Sequence, residues 1–81
     1  MGESEVQALE EQLAREDTVF RRLMQEHRRL DEAVKALDSR RYLTPEEEME
    51  RKRLQKQKLY TKDQMAAMLR RYQQKQMAMK H

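Results

Sequence analysis

The sequence predicts an all-α chain folded as an antiparallel, coiled-coil-like two-helix hairpin, on three observations. First, Val6, Leu9, Leu13, Glu16, Phe20, Leu23, His27, Leu30, Val34 and Leu37 follow one another in steps of three and four, and eight of these ten residues are apolar. That spacing draws one apolar seam along one helix, and a seam needs a partner. Second, 41% of the 81 residues are charged, with one Gly, one Pro, no Trp and one Phe. Strands need the β-branched and aromatic residues that are scarce here, whereas Glu, Lys, Arg, Gln, Leu, Met and Ala favour helices. High charge would also suit a disordered chain, but such a chain does not place Leu at every third and fourth position. Third, a single turn signal divides the sequence near its middle. A chain this short makes one small domain, here 1–81.

Helix 1 is expected over about 5–38. Ser4 is placed to cap it, and Gln7 three residues later completes a capping box. A connection over 39–44 follows, too short for anything but antiparallel neighbours. Helix 2, about 45–78, has the sharper start: Thr44 caps, Pro45 takes the first helical position, and Glu47 closes the box. Glu46, Glu47 and Glu48 sit where the helix dipole favours negative charge. The pairs Glu11/Arg15, Asp17/Arg21, Asp31/Lys35, Glu47/Arg51 and Glu48/Lys52 put the acid one turn ahead of the base. Each such pair adds only about 0.2–0.5 kcal/mol.

Closing the hairpin at the turn sets Val6 opposite Met79, Leu13 opposite Tyr72, Phe20 opposite Met65, His27 opposite Lys58, Leu30 near Leu54 and Val34 near Arg51. A slip of about one helical turn is open, because helix 2 is less strictly periodic. Its apolar set, Leu54, Leu59, Met65, Met68, Leu69 and Tyr72, reads as a broad stripe. Each arm would be roughly 45 Å long. Two helices have no second layer to cover the flanks of their seam, so Met24, Leu59, Leu69 and Met77 predict self-association, as a homodimer forming a four-helix bundle.

Cysteine is absent, which excludes disulfides and thiolate metal sites and is compatible with a reducing compartment. The start, Met1-Gly2-Glu3-Ser4-Glu5, is acidic and lacks the apolar core of a signal peptide, and Val6 stands where a myristoylation signal wants Ser or Thr. No apolar run approaches membrane-spanning length. The expected location is cytoplasmic, with no membrane partner.

The centre of the seam also carries a resemblance. Phe20 to Val34, with His27-Arg28-Arg29-Leu30-Asp31 inside it, resembles the first half of the YdcH-like family of small bacterial proteins of unknown function. Leu54 to Leu69, with Lys58-Leu59-Tyr60-Thr61-Lys62-Asp63 inside it, resembles the second half. The family carries H-x-x-L-D and K-L-x-x-K-D on either side of a turn, and the resemblance spans about Asp17 to Leu69. It implies a cytosolic helical hairpin with no activity or ligand established. Relatives often have Asn-Pro or Asp-Pro just before the Phe, which begins a fresh helix there. This chain has Asp17-Thr18 without the Pro. Asp17 could still cap a new helix, but the unbroken heptad favours a continuous or gently kinked one.

Candidate chemistry is thin. His27 could ligate a metal or sense pH near neutrality, but apart from Asp31 no ligand type lies one turn away on its face, and the other His is His81. The simpler expectation is a half-buried imidazole bonded to a neighbour such as Asp31. Lys58, Lys62 and Asp63 could hold a phosphate or a partner's carboxylates, or form ion pairs to Asp31, Glu26 or Glu16 that set register. One Gly permits no phosphate-cradling loop, and no nucleophile–base set exists. No enzyme, cofactor or metal is expected. Residues 1–39 hold 6 basic and 10 acidic side chains and residues 40–81 hold 12 and 5, so the halves attract.

The reading is a non-catalytic interaction or assembly module of unknown protein partner. Its helix–helix contact would be carried by Leu9, Leu13, Phe20, Leu23, His27, Leu30, Val34 and Leu37 against Leu54, Met65, Leu69 and Tyr72. The alternative is an RNA-, DNA- or ribosome-associated protein that meets phosphates through Lys52, Arg53, Lys56, Lys58, Lys62, Arg70 and Arg71 on the outer face of helix 2.

Overall fold

The structure, a computed structural model, describes residues 3–79, with side chains described over 4–77. It is all-helical: α1 (Glu3–Glu16), α2 (Thr18–Asp38) and α3 (Pro45–Met79). The expected contact of Val6 with Met79 and the second histidine, His81, lie outside the described side chains. The molecule is a rod of 56 × 20 × 18 Å, the length that the 35 residues of α3 set at about 1.5 Å each.

The continuous helix expected over 5–38 is broken at Asp17, which corrects the sequence reading. Asp17 N–H still donates to Leu13 O at 2.7 Å, ending α1. Its own backbone is extended (φ −124°, ψ 116°), and its carboxylate accepts from Val19 N at 2.8 Å and Phe20 N at 3.1 Å. A short acid bonding the free N–H groups of a first turn is the N-cap device, and the β-branched pair Thr18-Val19 that follows favours the helix interior little. Heptad spacing reports which side faces the partner, not whether the backbone ladder is intact. Ser4 lies inside α1, which begins at Glu3, so the Ser4/Gln7 box is not the helix start.

The tip follows the sequence closely. Ser39 caps α2, and its hydroxyl donates to Ala36 O at 2.8 Å. Thr44 N donates to the Glu47 carboxylate at 3.0 Å, and Glu47 N donates to Thr44 Oγ1 at 3.1 Å, the reciprocal box expected around Pro45. Arg40 pairs with the same Glu47.

Leu13, Phe20, Leu30 and Val34 form the buried apolar core, and all four lie on the heptad of the first half. Phe20 and Leu30 are sealed from solvent. The α2 and α3 helices run antiparallel, tied by Asp31–Lys58 at 2.6 Å and by Asp38–Arg51. Lys58 pairs with Asp31, a partner the sequence offered it, and Arg51 pairs with Asp38, where the hairpin alignment set His27 and Val34 opposite them. Each partner lies four residues further along α2, about one helical turn.

Candidate functional site

The seam of α3 contains Arg51, Leu54, Lys58, Met65 and Tyr72, which the sequence set on the contact line, and adds Thr61 and Met68. Arg51, Leu54, Lys58, Thr61, Met65, Met68 and Tyr72 follow at steps of three and four, as strictly as the seam of α2. Thr61 is buried and the other six are half-buried. Thr61 is polar, so a search for apolar periodicity passes over it. Spacing counted without regard to residue type would have found it. Leu59, read as part of the stripe, stands 62% exposed, because it falls one step off this seam.

Asp31 is the electrostatic centre of the α2–α3 pair. It accepts from Lys58 across the pair and from Lys35 along α2 at 3.0 Å. Those two ammonium groups, Lys58 first, hold its carboxyl down from 3.8 to about 2, against a smaller opposing effect of desolvation. Lys58 is therefore a half-buried cross-helix partner, not an outward phosphate ligand. Asp38–Arg51 repeats the arrangement seven residues on in each helix. The long Arg and Lys stems cover part of the seam while their heads reach carboxylates at its edge.

With Asp31 doubly engaged, the expected His27–Asp31 bond is not formed. His27 is half-buried, and its Nε2 is buried with no hydrogen-bond partner. On α3 the buried Thr61 satisfies its own hydroxyl by donating to Gln57 O one turn back at 2.8 Å. Among the described residues no group of three His, Asp or Glu side chains could hold a metal ion. Further along, the Tyr72 hydroxyl bonds to the Glu16 carboxylate. That bond, followed by burial and the Glu16 charge, raises the phenol above its ordinary 10. Gln76 Nε2 donates to the same hydroxyl at 2.9 Å.

Among the remaining interface residues read from sequence, Leu9, Leu23, Leu37 and Leu69 are half-buried. Of the expected intrahelical pairs, only Asp31–Lys35 is formed among the described residues. Asp17 is spent on capping, Glu47 on Thr44 and Arg40, and Arg51 on Asp38. Two other pairs form at a spacing of three. Glu26–Arg29, at 2.6 Å, lowers the Glu26 carboxyl and raises the guanidinium, and Glu50–Arg53 raises Arg53.

Lys52, Lys56, Lys62, Arg70 and Arg71 of α3 are exposed, with no ion pair to any of them among the described residues, and Lys52 and Arg71 border hollows beside the preceding helices. Arg53 is exposed but held by Glu50. Asp63 is exposed as well, so only Lys58 of the trio Lys58, Lys62 and Asp63 joins the cross-helix network. Tyr60, 65% exposed, accepts from Gln64 Nε2 at 3.2 Å. Near the tip an open hollow is lined by Leu37, Asp38, Leu43 and Arg51, among others. No described helix is long and apolar enough to cross a membrane.

The two motifs that carried the resemblance meet in space at the centre of the rod. His27, Leu30 and Asp31 come from one, and Lys58 and Thr61 from the other, joined at Asp31–Lys58. No curated protein and no solved structure matches the chain. The family of proteins of unknown function DUF465 matches residues 20–69, which hold α2, the tip and α3 as far as Leu69, and the chain belongs to this family of YdcH-like proteins.

Proposed function

We propose that the protein is a non-catalytic assembly module whose α2–α3 pair forms a coiled-coil-like hairpin and joins a second copy in a four-helix bundle. The observation that supports this is on α3. Among the described residues it buries no apolar side chain, while Leu59, Tyr60 and Met77 stand 62%, 65% and 62% exposed. Apolar surface in that amount on a thin rod is what a second layer of helices covers. Light scattering and sedimentation equilibrium test it. A mass of twice 9.9 kDa at micromolar protein is expected, and a monomer mass over the whole concentration range overturns it. Leu59→Glu with Tyr60→Glu should return the chain to monomer without loss of helicity.

A second reading rests on the unpaired bases. Lys52, Lys56, Arg70 and Arg71 are exposed on α3 with Tyr60 among them, an arrangement able to meet phosphates with one aromatic beside them. Titration with RNA and DNA at two salt concentrations separates the readings. Binding that weakens steeply with salt favours this one, and its absence at micromolar protein sinks it.

A further inference from the structure

The family match begins at Phe20 and ends at Leu69, so α1 and the last turns of α3 lie outside it. The break at Asp17 falls at that boundary. The two outlying segments are matched to each other in charge. The α1 helix carries five acids and one base, and residues 70–77 carry Arg70, Arg71 and Lys75 with no acid. They meet at an open hollow lined by Leu13, Asp17, Met68, Arg71, Tyr72 and Lys75.

The hold of α1 on its own chain is slight. Leu13 is its one buried apolar residue, while Val6 and Leu9 remain half exposed. No ion pair joins α1 to α3 among the described residues, despite the opposite charges. The joint is a single extended residue, and the hairpin beyond it is tied by Asp31–Lys58 and Asp38–Arg51 without help from α1.

We propose that α1 is an exchange arm, seated in the assembled protein on residues 70–77 of a second copy, whose own arm returns to the first. Reciprocal exchange keeps the Leu13 contact and the acid-on-base match, because the receiving surface is identical. The gain lies in number: two arms and two α3 ends side by side make four helices, which cover the edges of Val6, Leu9 and Met77 that one chain leaves open. The inference rests on the self-association proposed above and adds to it a second contact, between α1 and the end of α3.

Charge reversal in trans tests it on the full chain. One variant carries Glu10→Lys and Glu16→Lys on the arm, and the other carries Arg71→Glu and Lys75→Glu on the receiving end. Each variant alone sets like charges against like, within a chain or between copies of itself. Mixed, the two are matched at both seats only when arms are exchanged. The expected result is a heterodimer favoured about tenfold or more over either homodimer, read by native mass spectrometry. A statistical mixture or two monomers overturns the exchange. The untouched chain is weighed alongside. A wild-type dimer with no heterodimer preference sinks the arm and leaves self-association standing, and a wild-type monomer sinks both.

Discussion

The two long helices carry the same three-four spacing and fill it with different chemistry. On α2, Phe20, Leu30 and Val34 are buried apolar groups. On α3 the facing positions are Arg51, Leu54, Lys58, Thr61, Met65, Met68 and Tyr72, and only Thr61 is buried. One side of the seam supplies apolar burial. The other supplies half-buried side chains, of which Lys58 and Arg51 bond to Asp31 and Asp38. Apolar burial holds the pair together but tolerates sliding, whereas charge pairs add little free energy and select one alignment. Affinity thus rests on the apolar side chains of the seam, most of them buried on α2, and alignment on the ion pairs that join the two helices at its edge.

The largest effect expected from breaking this asymmetry is at Phe20. Phe20→Ala removes a sealed ring and should cost about 3–5 kcal/mol, comparable to the whole stability of so small a core. Leu54→Ala on α3, already half-buried, should cost less than half as much, and urea unfolding of the two variants makes the comparison. Equal losses would show that the two sides of the seam contribute alike. Next in size is His27→Leu. Its buried Nε2 lacks a partner, and an unmet polar group of that kind costs about 1–3 kcal/mol. The variant should therefore be more stable, with a raised melting temperature. A lowered one would show that Nε2 is satisfied in solution.

Loss of a helix cap comes next. Asp17→Ala and Thr44→Ala should each cost about 1 kcal/mol. Amide exchange should show the first loosening Val19 and Phe20, and the second loosening Glu47. The smallest effect is the pH dependence of the register pair. Asp31 is held at about 2 against 3.8, so the unfolded chain takes up this proton first. The stabilisation from Asp31 is complete above 3.8 and fades as pH falls towards about 2. Following the Asp31 carboxyl through an acid titration by NMR tests this. A midpoint at the ordinary value would mean that Lys58 and Lys35 do not hold it. In Lys58→Met the midpoint should move back up.

Much of the architecture was legible because it is local. The Thr44-Pro45-Glu46-Glu47 start needs only its own turn, and the buried Leu13, Phe20, Leu30 and Val34 all lie on a periodicity visible in the first half alone. Legibility failed where one local pattern permits two outcomes. Asp17 is both a residue of an unbroken heptad and an able N-cap, and the cap won. Thr61 reads as a surface residue by type, yet sits on the seam by spacing.

By itself, the sequence determined that the chain is helical, where the tip turns, which face of α2 is apolar, and which segments attract by charge. These follow from propensity, capping and periodicity within a few turns of the chain. The tertiary structure alone decided which of its candidate partners Lys58 takes, Asp31, and with that the burial of Thr61 and the unmet nitrogen of His27. The reason is that a helix resembles itself after every turn. Alignments one turn apart look equivalent from either helix, and only the carboxylates and cations that meet across the seam tell them apart.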